Sequence, residues 1–461
     1  MNSNKLIWVI FLAASLLINC NDDLVNIEET NSTPSEIEVE EVETTGEENY
    51  LTFDSDYIYD QSKLPTFDLT IEPSDLIKIN NDPAAEEYVE AALTFEGETI
   101  SPVGVRYKGS IGAFAGCLSG GGNLFSPSGY KTCTKLSMKV KINWEGRTEK
   151  FYGLKKLQFH SMNLDPSQMH DRLGYWLFAQ MGVPTPRSIH ARLLINGEFA
   201  GLFSLVEQID GMFSRYNFDD GEGNVYKEVW PLADDGNLRP DFEYLDGLKT
   251  NEDENPTLDI MKGFATDVRE AATDEELQAA IEEWMDLDKI LAYCMVDRTI
   301  KHDDGPFHWY CFGGCNPHNF YFIEEPNNNK IHLIPWDLDN AFENISSANA
   351  ITNIPDDWGE TRNDCNPFSG GFFGIQQRSA ACDKLTRGWT LYEDEYEALK
   401  QEFINGPFSE ESIDSVLELW SAQVREATIE ASELFGDAIS LETWEQSVNS
   451  LRAQCDVARN Q

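Results

Sequence analysis

Apolar and polar residues alternate in short runs through the first half of the chain. Residues 66–71 alternate strictly, and residues 101–110 read as a strand that ends in a glycine turn. Because successive side chains of a strand point to opposite faces, this period of two predicts β-strands. The clearest run, residues 135–143, has two distinct faces. One face carries Leu136, Met138, Val140 and Ile142, and the other carries Lys135, Ser137, Lys139 and Lys141.

A hairpin and several helices follow. Residues 189–209 surround Asn196-Gly197, a dipeptide that favours a tight hairpin turn. In residues 165–181, Asp165 stands as a helix N-cap, Pro166 as the first helical residue, and an apolar stripe follows, so we predict a helix. Residues 256–300 are expected to be mainly helical.

The remaining elements complete the fold class. Strands return at 319–325 and 330–336 around a turn at 326–329, and residues 390–461 have the pattern of acidic amphipathic helices. The order predicts an α+β chain with a sheet-rich first part and a mainly helical second part. Two lobes with a ligand cleft between them fit that order.

The N-terminus has the form of an export signal. Residues 1–20 contain one lysine and an apolar run, and end at Cys20, which resembles a bacterial lipoprotein signal with Cys20 as the lipidated residue. Ordinary signal cleavage nearby is the alternative. Residues 21–60 are acidic and predict a disordered tether. We therefore expect an exported protein, periplasmic or at the cell surface, that touches the membrane only through the anchor at Cys20.

Composition narrows the range of partners. The 461 residues carry a formal charge of −47, which disfavours nucleic acid and anionic membrane surfaces as partners. The chain is 41% hydrophobic and 11% aromatic, which is typical of a globular protein. Roughly 400 residues remain after the tether, enough for one large domain or two lobes.

The cysteines indicate disulfides. Of nine cysteines, eight lie beyond Cys20, an even number that suits an oxidising compartment. Their spacing does not match a zinc pattern. Proximity along the sequence suggests the pairs Cys117–Cys133, Cys311–Cys315 and Cys365–Cys382, with Cys294 and Cys455 left over.

Two aspartates follow a predicted strand directly. Asp337 and Asp339 come after residues 331–336 and are two positions apart, so in an extended chain both side chains face the same way. Carboxylate oxygens are the ligands that hard divalent cations take. The pair predicts a metal site, and the alternative is a helix N-cap for the segment that follows.

Upstream of this pair are further groups of the same kind. Asp303 and Asp304 lie on a loop, where a carboxylate can accept a proton from a hydroxyl nucleophile, and Asn319 can add a neutral oxygen ligand to a metal. The alternative for Asp304 is a conformational role in a turn with Gly305.

A basic strand face is the electropositive counterpart. Lys139 and Lys141 can bind anionic oxygens, and solvated lysines are the alternative. Glycines in residues 106–110 and 116–129 can cradle phosphates, although a disulfide-tied surface loop also explains the second segment. A basic strand, an acidic pair, a loop aspartate and an asparagine are the components of phosphoryl transfer.

These segments together resemble the CotH-type kinase family, which is named after a spore coat protein and is distantly related to protein kinases. The likeness covers roughly residues 60–455 and four segments carry it. They are 103-VGVRYKGS-110, 135-KLSMKVKI-142, 196-NGEFAGLFSLVEQIDGMF-213 with Glu207 at the acidic position, and 335-PWDLDNAF-342.

The resemblance implies an ATP-dependent protein kinase that uses Mg²⁺ or Mn²⁺, with Ca²⁺ as an alternative, and acts on a protein at the cell envelope. It also implies a bilobal protein-kinase-like fold, with lobes at 61–210 and 211–461. The implied site has a nucleotide-binding set, a catalytic base and metal ligands. The nucleotide-binding set comprises Lys139 or Lys141, with Arg106, Ser110 and Glu207. The catalytic base is Asp304, or Asp303. The metal ligands are Asn319 and Asp337, with Asp339 in support.

Two segments depart from the family pattern. The family keeps a short spacing between its loop aspartate and the following asparagine, and here residues 308–317 intervene. A Cys-bounded insertion also lies between Gly109 and Lys135. Two other functions stay open. A non-catalytic surface module would bind metal and envelope or polysaccharide partners. A metal-dependent glycosyltransferase is disfavoured, because the sequence has no nucleotide-sugar Rossmann pattern.

Overall fold

The computed structural model describes most of the chain from residue 54 onwards. Some predicted features lie outside the described residues. These are the signal at residues 1–20 with Cys20, the tether up to residue 53, and the single positions Ser110 and Asp303. At the end of the predicted tether, Ile58 and Tyr59 are buried, so the packed chain begins before residue 61. The described ranges are 54–109, 113–120, 126–252, 256–302, 304–342, 365–369 and 376–460.

Seven strands close into a barrel in the order β1-β2-β3-β4-β5-β7-β6. Neighbouring strands are antiparallel except at the closure, where β6 runs parallel to β1. The strand bounds are β1 Thr66–Ile71, β2 Val89–Phe95, β3 Glu98–Tyr107, β4 Met138–Lys141, β5 Lys156–His160, β6 Ser188–Ile195 and β7 Glu198–Val206.

Several strand predictions are confirmed. The strand at 66–71 has the predicted bounds, and β6 and β7 form the predicted hairpin. At its turn, Asn196 and Gly197 have φ values of 54° and 80°. Both residue types tolerate this left-handed backbone, which matches the twist of a two-residue hairpin.

The lysine face of β4 does not face solvent. Alternate residues of β4, such as Met138 and Val140, fill the barrel core. On the other face, Lys139 and Lys141 are only 5% and 9% exposed. The interpretation of these lysines as solvated is therefore wrong. A buried cation is costly unless polar or charged groups surround it, so this face belongs to a polar interior.

Eleven α-helices are present in the described residues. The predicted helix at 165–181 begins later than expected, at His170, with Met169 at the N-cap. Asp165 instead closes a turn ahead of the helix, because its carboxylate accepts hydrogen bonds from Ser167 and from the His170 N–H. The bounds are α1 Pro73–Asn81, α2 His170–Gln180, α3 Gly211–Asn217, α4 Asp241–Asp246, α5 Asp259–Glu270, α6 Asp274–Trp284, α7 Leu287–Ile300, α8 Lys384–Trp389, α9 Glu393–Asn405, α10 Glu410–Leu434 and α11 Leu441–Arg459.

Two smaller sheets accompany the helices. One has the order β12-β11-β8 and includes the predicted hairpin, and the other has the order β10-β9-β14-β13. Helices α2–α11 and the first of these sheets share one hydrophobic core, while the barrel and α1 form another. The predicted α+β class is thus confirmed. The bounds are β8 Val225–Lys227, β9 His308–Cys311, β10 Cys315–Asn316, β11 Phe320–Glu325, β12 Lys330–Pro335, β13 Phe368–Ser369 and β14 Gln376–Ser379.

All three predicted disulfides are confirmed: Cys117–Cys133, Cys311–Cys315 and Cys365–Cys382. Cys294 and Cys455 are buried free thiols, as expected. Disulfides of this kind are typical of proteins that fold outside the cytosol. Among the described helices, none combines the length and apolarity that crossing a bilayer requires.

Glu324 and Glu325 are adjacent on β11, and we predict that their replacement by glutamine changes stability in opposite directions. Burial raises the pKa of Glu324 from 4.5 to about 7, although its Oε1 accepts hydrogen bonds from Tyr226 and Met261. Between pH 4.5 and about 7, Glu324 therefore keeps its proton in the folded state but loses it in the unfolded state. The folded state loses stability as the pH rises through this range. Glu324→Gln keeps the acceptor and removes the charge. We expect it to stabilise the fold by about 3 kcal/mol above pH 7.

Glu325→Gln is the matched control. Burial opposes ionisation of Glu325, but hydrogen bonds from Asn328 and His332 hold its pKa below the ordinary value. Its contribution is present at neutral pH and is lost on acidification, so this variant should be destabilised at pH 7. Unfolding free energies of both variants between pH 4 and 9 test the pair. Equal signs at pH 7 would contradict the prediction.

Candidate active site

The open end of the β11–β12 hairpin brings two predicted metal ligands together. Asn319 immediately precedes β11, and Asp337 follows β12 after Trp336. The register pairs Phe320 with Pro335, and the Trp336 N–H donates to the Asn319 carbonyl at 3.2 Å. Asn319 and Asp337 both have left-handed backbones, with φ values of 53° and 57°. Asn and Asp tolerate this conformation better than most residues, which explains these types at the two ends.

The loop aspartate contacts the same end of the hairpin. The Asn319 Nδ2 donates to the Asp304 Oδ2 at 2.8 Å. This bond uses the amide nitrogen and leaves the Asn319 amide oxygen available to a further partner. Gly305 does close a tight turn, because its N–H donates to the His302 carbonyl at 3.2 Å. The turn and the site interpretations of Asp304 are thus compatible, since its side chain also reaches beyond the turn.

Three side chains fix the backbone of the acidic pair. The Asp337 N–H donates to the Tyr175 hydroxyl, and the Asp337 carbonyl accepts from His302 Nε2, both at 3.0 Å. His170 Nδ1 donates to the Asp339 carbonyl, also at 3.0 Å. Asp337 occupies the N-cap position of a short 3₁₀ turn, yet its side chain makes no capping hydrogen bond. A capping role therefore does not account for this carboxylate.

Negative charge accumulates around the acidic pair. Burial raises the pKa of Asp337, and the Asp171 carboxylate adds to the increase, while Lys108 and Lys227 oppose it. Burial also raises the pKa of Asp339 well above its ordinary value, with further increases from Asp337, Asp171, Asp304 and Asp165. Since ionised carboxylates at this position repel one another, a cation bound among them would be stabilised.

The donor set suits a cation that takes few protein ligands. No group of three His, Cys, Asp or Glu side chains in the described ranges is arranged to hold a metal by itself. Asp337 and the Asn319 amide oxygen, with Asp339 nearby, supply hard oxygen ligands instead. Mg²⁺ is commonly held by one or two carboxylates, with phosphate oxygens and water completing its octahedron. The residues therefore fit Mg²⁺ or Mn²⁺ together with a phosphorylated ligand.

Basic side chains from three strands face this acidic end. Lys108 follows β3, Lys139 lies on β4, and Lys227 ends β8, where it pairs in register with Tyr321. Burial lowers the pKa of Lys108, and Lys139 and Lys227 lower it further. Burial raises the pKa of Asp337, and Lys227 acts against that rise. Lys141 lies two residues beyond Lys139 on the same face, opposite Gly104 and Lys156.

Two predicted nucleotide-binding residues have strong partners elsewhere. Arg106 forms an ion pair with Glu86, and the same carboxylate accepts from the Gly109 N–H at 2.8 Å. Glu207 is buried and accepts three hydrogen bonds from Arg187: two from the guanidinium, at 2.5 and 2.9 Å, and one from the backbone N–H, at 3.2 Å. Arg106 therefore orders the glycine turn. Glu207 lies between β7 and α3, and its hydrogen bonds in the described residues go to Arg187 and not to Asp337.

Sequence reasoning missed several residues of this site. Lys108 lies within the glycine-turn segment and His302 stands beside the loop aspartates, so both had a local signal. Asp171, Tyr175 and Lys227 had none, because only the fold brings α2 and β8 to the hairpin.

A separate surface cavity of about 520 Å³ lies at the other end of the hairpin. Its lining includes Lys330 and His332 of β12, together with Asp286 and Lys289 from the start of α7. Lys330 begins β12 and Asp337 follows its end, so a full strand length, roughly 20 Å, separates the two places. This cavity is not part of the candidate site.

Residues 105–456 match the family described as CotH kinase protein. The inner spore coat protein H of Bacillus subtilis (strain 168) is 20% identical over 292 residues, which cover 60% of this chain and 69% of that protein. Two invasins of Rhizopus delemar, CotH7 and CotH2, are 22% and 29% identical over 201 and 196 residues. These matches cover 42% and 39% of this chain and only about a third of each invasin, 32% and 31%.

Proposed function

The chain belongs to the CotH kinase protein family, and we propose that it transfers phosphate from ATP to a protein hydroxyl with the help of a divalent cation. The observation that carries this proposal is the end of the β11–β12 hairpin. There, Asp304 contacts Asn319 at 2.8 Å beside the backbone-anchored Asp337. Lys108 and Lys227 lie near enough to act on the charge of Asp337, and Lys139 on that of Lys108. A loop base, oxygen ligands and cations at one place are what phosphoryl transfer requires.

The roles follow from the chemistry of each group. Asp304 accepts the proton of the acceptor hydroxyl while that oxygen forms its bond to the γ-phosphorus and the bond to the β-phosphate oxygen breaks. Asn319 holds Asp304 and offers its amide oxygen to the metal, which Asp337 also binds, with Asp339 in support. The metal, when bound, neutralises phosphate charge. Lys139, with Lys141 beside it, stabilises the same phosphate oxygens.

The wider setting belongs to the same proposal. Separate barrel and helical cores support a two-lobed, kinase-like arrangement with the site between them. The disulfides and the name of the Bacillus relative, a spore coat protein, support an exported protein that acts on partners at the cell envelope. A lipid anchor at Cys20 would keep it there.

Thermal unfolding of the purified protein tests the function. We expect the midpoint to rise with ATP and Mn²⁺ or Mg²⁺ together, and much less with either one alone. Ligand at a hundred times its Kd stabilises a native state by about 2.7 kcal/mol, which is several degrees for a chain of this size. GTP and AMP with metal are the controls for base and phosphate requirements.

A different result would favour the second candidate. The buried carboxylates of Asp337 and Asp339, which lie close to each other and to Asp171, support a cation site whether or not a nucleotide binds. If metal alone gives the full rise and ATP adds nothing, the kinase proposal fails. The protein would then be a metal-stabilised surface module on a kinase-like scaffold.

A further inference from the structure

Lys108 lies where the barrel meets the acidic end of the hairpin. It follows β3 and precedes Gly109, and its N–H donates to the Ser137 carbonyl at 2.9 Å. Its Nζ lies 2.8 Å from His160 Nε2 and 5.4 Å from the centre of the Trp336 ring. The residue as a whole is partly exposed. These contacts define the position of its ammonium group.

Behind Lys108 stands a buried pair. His160 on β5 is 8% exposed and Asp171 on α2 is 4% exposed, and His160 Nδ1 lies 3.2 Å from Asp171 Oδ2. A lysine ammonium only donates hydrogen bonds, so His160 Nε2 accepts, and the ring proton sits on Nδ1 and is donated to Asp171. The order is thus ammonium, neutral imidazole, carboxylate, with each hydrogen bond defined by the next.

The charges around Lys108 favour an anion. Burial lowers the pKa of Lys108 to about 8; Asp337 and Asp171 oppose this decrease, and Lys139 and Lys227 add to it. Two further cations, Lys139 and Lys227, therefore lie within electrostatic range of Lys108. The polyphosphate of a nucleotide bound beside Lys108 would be attracted to all three.

The network behind Lys108 is also incompletely bonded. The Asp171 Oδ1 and the Gln158 Nε2 are buried and have no hydrogen-bond partner in the described residues. Gln158 pairs in register with Lys139 and precedes His160 by two positions on β5. Unbonded buried polar atoms are costly, so this layer has hydrogen-bonding capacity left for a further partner.

We propose that Lys108 contacts the nucleotide's β- and γ-phosphates and that His160 and Asp171 are its positioning residues. This inference rests on the proposed function and assigns a phosphate contact in addition to Lys139 or Lys141. On binding, the Lys108 Nζ keeps one hydrogen bond to His160 and directs another to a phosphate oxygen. His160 limits the ammonium to a small volume, and Asp171 holds the imidazole in the accepting tautomer.

Calorimetric binding of three probes to the purified protein tests this assignment: ATP with Mg²⁺, inorganic tripolyphosphate with Mg²⁺, and adenosine. In Lys108→Met we expect ATP and tripolyphosphate to bind at least about tenfold more weakly, as the loss of a charge-assisted hydrogen bond predicts. Adenosine binding should not change. Lys108→Arg should restore most of the tripolyphosphate affinity.

The positioning residues have their own rescue pair. His160→Phe keeps the ring but cannot accept a hydrogen bond, and should weaken tripolyphosphate binding several-fold. His160→Gln retains an acceptor and should recover part of that loss. Lys135→Met is the matched control. Burial also lowers the pKa of Lys135 to about 8, but its Nζ donates to the Leu202 carbonyl. This variant should bind all three probes normally.

Each outcome decides the inference. It is overturned if the wild type does not bind tripolyphosphate, or if Lys108→Met binds it normally. It is also overturned if Lys108→Met loses adenosine to the same degree, because the damage would then be structural. Binding of tripolyphosphate that depends on Lys108, in a wild type that ignores ATP, would instead refute the proposed function and retain the anion site.

Discussion

Asp337→Asn is expected to abolish the rise in Tm with ATP and metal while leaving the unliganded protein as stable as the wild type, or more stable. Asparagine fits the left-handed backbone at φ 57° and keeps the size of the side chain. Because burial raises the pKa of Asp337, its charge costs folding free energy when no cation is present. The substitution removes that cost together with the ligand.

The affinity for metal should fall by at least about 100-fold, since loss of an outer-shell partner alone typically costs 10- to 100-fold. Thermal unfolding with and without ATP and Mn²⁺ measures both effects. Asp437→Asn is the control of opposite sign. Although burial opposes it, hydrogen bonds from Thr134 lower the pKa of Asp437. That variant should lose stability without ligand and keep the full ligand response. A full response in Asp337→Asn would remove this carboxylate from the site.

His302→Leu should be the most damaging single substitution near the site. His302 and Asp297 are both fully buried, with the His302 Nδ1 lying 3.2 Å from Asp297 Oδ2 and its Nε2 donating to the Asp337 carbonyl. Leucine would leave a buried carboxylate without its partner and a carbonyl without its donor. Removing one member of a buried pair typically costs about 3–5 kcal/mol. We expect a loss of that size in denaturant unfolding.

A double substitution separates charge from packing. Asp297→Asn removes the stranded charge, so the double variant Asp297→Asn/His302→Leu should be more stable than His302→Leu alone. Additive losses would contradict the pairing.

The pH dependence of the wild type gives a second check on this pair. Burial would lower the pKa of His302, but Asp297 raises it above the ordinary 6.5. The contribution of His302 is therefore complete below pH 6.5 and declines as pH rises through the folded value. His302→Leu should lack that decline.

Local pattern predicted the parts of this fold that depend on neighbours in sequence. The Asn196-Gly197 hairpin, the strand at 66–71 and the three short-range disulfides needed only spacing and residue type. The pattern does not predict the start of α2, because Asp165 can either cap a helix or close a turn. Hydrogen bonds from Ser167 and His170 to its carboxylate favour the turn. Burial of Lys139 and Lys141 depends on what packs outside the barrel, which strand periodicity does not reveal.

The candidate site also contains some residues that are close in sequence and others that only the fold brings together. The Asp337–Asp339 motif, Asp304 and Asn319 were predicted from one continuous region, and a single hairpin brings them together. Lys108, His160 and Asp171 come from a strand end, a strand and a helix that lie far apart in sequence. Their mutual contacts exist only because the barrel closes and α2 packs beside it. A motif could point to Lys108, but not to its contact with His160 and Asp171.

Closure of the barrel also protects this chain against aggregation. Open sheets expose edge strands that can pair with another molecule, and such pairing is a common route to aggregation. In β1–β7 each strand has a neighbour on both sides, because residues 66–69 of β1 pair with residues 192–195 of β6. Aggregation through this sheet must therefore wait until that parallel seam opens. A protein concentrated on a surface, beyond the reach of cytosolic chaperones, would benefit from such a safeguard.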